Sequence, residues 1–218
     1  MIALPTADIR LRIEFALLYL AAPVAFAVAM PSDLLFPVVL SMTALGLLLL
    51  HRTPGFEWHD LTHGWGCIAW GRVAALGALT AAVALAVILS LRPWALLEPG
   101  RSMPMLLAAI LVLYPPLSAL PQEILFRPLF FRRYGRVLPR GAWPQILLNA
   151  AVFGLAHLVY WSWVVALLTF AGGIAFAHAY RVRGSFAEAV ILHAVAGGIL
   201  FALGLGTWFY AGNAVRPF

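Results

Sequence analysis

Residues 73–91 read VAALGALTAAVALAVILSL, nineteen consecutive residues without a charge. As a helix rising ~1.5 Å per residue, such a run reaches across the ~30 Å hydrocarbon core of a bilayer. Its apolar residues follow one another, rich in Ala and Leu, where a barrel strand would alternate over about ten residues. The rest of the chain repeats this pattern. Apolar runs at 12–30, 34–50, 72–91, 103–120, 143–160, 162–180 and 186–207 are expected to form spanning helices. A shorter stretch, 121–135, carries Glu123, Arg127, Arg132 and Arg133, and is expected as an eighth helix, either packed inside the bundle or half-inserted. Breakers separate the runs: Pro31, Pro54-Gly55, Pro93, Pro99-Gly100, Pro139 with Gly141, and Gly184-Ser185. The expected fold is all-α, a polytopic transmembrane bundle of seven to eight helices forming a single domain over 1–218, with no internal repeat.

Composition says the same. Hydrophobic residues make up 64% of the 218, charged residues 10%, and mean hydropathy is +0.96; soluble domains run at about 45–50% apolar and about 25% charged. Too few polar side chains exist to cover a water-facing surface. The net charge of +6 comes wholly from arginine, because the sequence has no lysine. These arginines cluster at the ends of apolar runs, where they anchor helices at headgroups, and this argues for a lipid partner and against nucleic acid. The lone Cys67 forms no internal disulfide, and the first apolar run lacks a small-residue cleavage site and is read as a retained helix. An Ala-, Leu- and Arg-rich, lysine-free composition suggests a bacterial inner membrane.

Two arguments about orientation conflict. With 121–135 half-inserted, the arginine-rich segments 1–12, 51–72, 132–140 and 181–183 share one side, which positive-inside makes cytoplasmic. A site shared by Glu123 and His157, which lies late in its helix, favours instead a 121–135 that crosses by itself, and this reverses the parity of everything before it.

Ionisable groups within a span are costly and mark function. Glu123 and Arg127 are four apart, which stacks carboxylate and guanidinium on one helix face. A structural ion pair is the plainer account of such a pair. His157 (Phe153-Gly154-Leu155-Ala156-His157) and His193 each lie in an apolar helix, where a single histidine is more often a core residue bonded to a neighbouring helix. Together the three positions form a constellation on separate helices.

An acidic pair followed by three residues and Arg, then Phe-xxx-His, then a His with Asn four residues on, resembles the CPBP family of Rce1-like (CAAX-processing) and bacteriocin-processing intramembrane endopeptidases. The resemblance covers about 100–207 through Glu123/Arg127, Phe153/His157 and His193, with two departures: Gln122 stands where the family has its first Glu, and Gly197 where it has Asn. Altered motifs of this kind are similar to the myxosortase-like group, thought to trim carboxy-terminal sorting tails of exported proteins. The resemblance implies a glutamate-type intramembrane peptidase acting on a protein or peptide with a membrane-associated tail, and no cofactor. In that chemistry Glu123 is the base that takes a proton from water, His157 holds the water, and His193 donates to the oxyanion. Arg127 supports the carboxylate, while Gln122, Phe153 and Gly197 position water or substrate. Two His and one Glu also make a zinc set of the catalytic type, from which the resemblance leads away. The rival class is a non-catalytic scaffold or small-solute carrier whose protease site has degenerated at Gln122.

A competing site lies at 51–63. His59-Asp60-Leu61-Thr62-His63 puts two imidazoles on one face if helical and imitates a zincin motif, with His51 and Glu57 nearby. Asp60 is a methylene short for the base, and the flanking Pro54-Gly55 and Gly64-Trp65-Gly66 read as an interfacial loop with aromatic anchors. Ser185 to Glu188 has capping-box spacing, His178 and Arg181 suit a helix C-terminus, and Gly172-Gly173 and Gly197-Gly198 suit close helix approach, the second pair beside His193 with room for an extended substrate.

Overall fold

A computed structural model describes residues 6–209. Seven apolar helices follow one another: α1 (Asp8–Ala29), α2 (Leu35–His51), α3 (Trp70–Leu91), α4 (Pro104–Arg133), α5 (Ala142–Tyr160), α6 (Trp163–Arg181) and α7 (Phe186–Leu203). Six are long and apolar enough to span; α2 is shorter. No strand occurs among the described residues. Large apolar side chains on the outside, such as Met105, Val112 and Leu79, have no soluble explanation. The chain is a multi-pass integral membrane protein.

The expected eighth helix is not separate. Residues 103–120 and 121–135 join in α4, a helix of 30 residues. Pro115, Pro116, Pro121 and Pro128 each remove an amide donor and crowd the carbonyl four residues back. The ladder absorbs them by widening into π turns at Pro115–Ala119 and Leu125–Arg133 instead of ending. α1 does the same at Leu17–Ala21, ahead of Pro23. The Tyr19 hydroxyl of α1 donates to Leu125 O at 2.6 Å, pinning the second π segment of α4.

One continuous α4 settles the parity. The ends of α2, α4 and α6 and the starts of α1, α5 and α7 converge on one face, joined by Arg133 to Glu14 and Leu49 O, by Arg181 to Gln145, and by Ser185 to Gly64. On the other face, Leu97 N donates to Leu203 O and the Trp161 indole to Ala27 O. Ten of the fourteen arginines belong to the first face, so the arrangement is the one with 51–72, 132–140, 181–183 and the described part of 1–12 together.

The core gathers around the second half of α4 with α5, α6 and α7. α5 and α6 approach closely because Gly173 lies against Ala150 and Phe153, and Gly154 against Ala166 O and Phe170. α7 is packed by α3, α6 and the first half of α4, which makes it the most enclosed span.

Candidate functional site

Glu123 and Arg127 are both fully buried in α4. Arg127 grips the carboxylate with two bonds, Nε to Oε2 at 2.8 Å and Nη2 to Oε1 at 3.2 Å, a fork that fixes both groups. From α7, His193 Nδ1 meets Glu123 Oε1 at 2.9 Å. The remaining guanidinium nitrogen, Nη1, donates to Asn149 Oδ1 of α5, and Asn149 Nδ2 donates to Phe126 O at 2.6 Å. Every member of this network has a partner, as a buried charge requires.

His157 stands apart from that network, on the 3₁₀ turn that ends α5. Its Nδ1 lies 2.7 Å from Phe153 O. A carbonyl only accepts, so Nδ1 carries the proton and the neutral ring presents Nε2 as an acceptor. Bonded to a carboxylate, His193 is assigned the same tautomer. Phe153 sits between the two rings, with centroids 4.5 Å from His157 and 5.6 Å from His193, and the Arg127 guanidinium 5.2 Å away. His193 is also stacked on Phe176 at 4.9 Å.

Gln122 and Glu123 are neighbours that face different ways, as a ~100° step per residue requires. Gln122 and His157 line a narrow cavity of about 130 Å³ that runs past Phe126 to Met30 and Leu35, between α1 and α2. Gln122 Nε2 donates to Ser118 Oγ at 3.0 Å, while its buried Oε1 has no partner among the described residues. Gly197 does not border open space. A Cβ there would come within 2.3 Å of Tyr114, whose ring lies edge-on to His193 with centroids 5.9 Å apart. The room foreseen for substrate at this point is taken by the phenol.

The chain's second half, α4 to α7, therefore supplies every member of the constellation. Residues 102–199 match the family model of the Type II CAAX prenyl endopeptidase Rce1-like proteins. This part of the chain is similar to that family. No curated protein and no solved structure matches the chain. The Rce1-like segment opens at the start of α4 and closes within α7, taking in both histidines, and the family it matches is one of proteases.

The Rce1-like segment also holds two residues that sequence reasoning passed over. Asn149, Phe153 and His157 are spaced by four, one stripe of α5, and a lone Asn within an apolar helix was the signal. Tyr114 gave none, because its contact with α7 spans 79 positions to His193. The competing stretch at 51–63 behaves otherwise than a helical metal motif. Trp58–Thr62 is a 3₁₀ turn, His63 lies beyond it in extended backbone, and Asp60 accepts from Glu57 N at 3.0 Å and pairs with Arg132 at 2.8 Å. Among the described residues no group of three or more His, Cys, Asp or Glu could hold a metal ion. Ser185 does cap Glu188 N, at 3.0 Å, but the Glu188 carboxylate reaches Ala69 N and Arg183 instead of the amide of Ser185.

Proposed function

We propose that the chain is a glutamate-type intramembrane endopeptidase that cuts a membrane-anchored or exported protein near its carboxy-terminal tail. What carries this reading is the bond between His193 Nδ1 and a Glu123 already fixed by Arg127. A carboxylate bonded to Nδ1 orients the ring and raises the basicity of Nε2. The base function expected of Glu123 is thereby expressed through His193. Water gives a proton to His193 Nε2 as its oxygen bonds to the scissile carbonyl carbon. The C–N bond then breaks, and the leaving amine takes that proton from His193. Gln122 Oε1 and His157 Nε2 are acceptors in the neighbouring cavity, where they hold water on its way to the pair. No metal is needed for these steps. The cavity leading from Gln122 and His157 to Met30 is mostly apolar, which suits a substrate tail lying in the bilayer, and a sorting role on exported proteins follows from that substrate class. Positive-inside makes the arginine-rich face cytoplasmic in a bacterial inner membrane.

A second reading, a bundle that binds tails without cutting them, is favoured by one observation: both Glu123 oxygens already accept bonds, and the residue at the cavity wall is the amide Gln122. Co-expression with a library of membrane-anchored reporters carrying varied carboxy-terminal tails separates the two. Release of the tail by the wild type, absent with His193→Gln, supports the peptidase; tails that co-purify intact with both proteins support the binder.

A further inference from the structure

A second cavity, of about 500 Å³, opens on the arginine-rich face, where α4 and α6 end and α5 and α7 begin. Its walls are cationic and preorganised. Gln145 Nε2 is held by Pro139 O at 2.9 Å, which turns Oε1 toward Arg181 Nε at 2.7 Å. Arg181 is fixed in aim by that bond, and its two terminal nitrogens are left for a ligand. On the same cavity, Arg132 Nη1 pairs with Asp60 at 2.8 Å and donates to Gly55 O at 3.2 Å, and its Nε reaches the Tyr180 hydroxyl at 3.4 Å, which leaves Nη2 for a ligand. Two guanidiniums thus face one space against a single carboxylate. The floor is different: Phe131 and Phe186, both buried, close it from the core side. Cationic walls over an apolar floor fit an amphiphile better than a soluble ion.

The level of the cavity points the same way. It lies where four spans end, and Trp58, Trp65, Trp70 and Trp143, in the loops and helix starts of the same face, are all more than half exposed, as aromatic residues are in the headgroup belt. The loop carrying His59, Asp60 and His63 covers one side of the cavity as short 3₁₀ turns. We infer that this cavity binds the phosphate of an anionic phospholipid headgroup, with Arg181 and Arg132 as its donors. Guanidiniums recognise phosphate through paired N–H···O bonds, and the anionic leaflet supplies the ligand at high local concentration. The stretch at 59–63 acquires a role as the outer wall of this site.

The test uses the full chain, purified and delipidated in a neutral detergent, with native mass spectrometry reading bound lipid. The probes are phosphatidylglycerol and phosphatidylcholine with identical acyl chains, and inorganic phosphate as competitor. Phosphatidylglycerol is expected to bind in preference, to be displaced by millimolar phosphate, and to weaken about tenfold in Arg181→Gln. Arg101→Gln, on the opposite face, should bind as wild type. Asp60→Asn removes the opposing carboxylate and should tighten binding severalfold, a gain that misfolding cannot imitate. Equal binding of the two lipids, equal losses in Arg181→Gln and Arg101→Gln, or weaker binding in Asp60→Asn would overturn the inference. Phosphate binding without lipid preference would overturn the lipid assignment by placing the ligand in solution.

Discussion

At the scale of the residue, Glu123 is at once the carboxylate that orients His193 in the proposed chemistry and half of a buried ion pair. Glu123→Gln removes the charge that orients His193, and a fall in tail cleavage of at least ~100-fold is expected. It also strands Arg127, and breaking a buried pair costs ~3–5 kcal/mol, so lost activity alone would be ambiguous. Glu123→Gln combined with Arg127→Met removes both charges. The double variant should recover most of the melting temperature lost by the single one while staying inactive; recovery of cleavage with stability would show that Glu123 serves only as counter-ion. Gln122→Ala is expected to cost less than about tenfold, through a less well-held water, and a larger loss in a stable protein would give Gln122 the leading role. The sequence grouped Glu123, Arg127, His157 and His193; the structure bonds three of them into one network and leaves His157 on the far side of the Phe153 ring. The sequence could not show that Gln122 and Glu123 look into different spaces, since adjacency in a helix does not say which face meets a cavity. Nor could it show that Tyr114 fills the gap at Gly197, because volume matching between distant helices leaves no local pattern.

At the scale of the element, six of the seven expected long runs became helices at nearly the expected limits, because uninterrupted apolar sequence has one backbone solution in lipid. The exception is α4, where the charges of 121–135 suggested a separate, shorter helix and the apolar run before it instead continues through π turns. Proline chemistry reports strain on the ladder but not how it is relieved, and the bond from Tyr19 that helps relieve it comes from a helix a hundred residues earlier. The close approach of α5 and α6 was legible in Gly172-Gly173, and it makes a prediction. A Cβ on Gly173 would lie 3.1 Å from Ala150 Cα and 3.2 Å from the Phe153 ring. Gly173→Val should therefore destabilise by ~1–3 kcal/mol through overpacking and, by displacing the ring between the two histidines, reduce cleavage more than stability alone accounts for. Thermal unfolding and cleavage measured on the same preparation check this; unchanged values in both would mean that the α5–α6 contact is looser than described.

At the scale of the whole molecule, composition alone required a membrane protein, whereas its orientation needed the single crossing of α4, which brings ten arginines to one face. Cys67 is the sole cysteine, exposed on the loop between α2 and α3 on that face. A membrane-impermeant maleimide should label it in inverted inner-membrane vesicles and not in intact spheroplasts; the reverse result would invert the topology. The most direct test of hydrolysis at the Glu123–His193 pair is cleavage of a tailed reporter by the purified chain in lipid nanodiscs, in water enriched in heavy oxygen. Wild type is expected to release the tail with one heavy oxygen in the new carboxyl group, and His193→Gln to release none. A wild type inert on every tail, alongside a Gln122→Glu variant that cuts them, would contradict the peptidase assignment and leave a tail-binding bundle in its place.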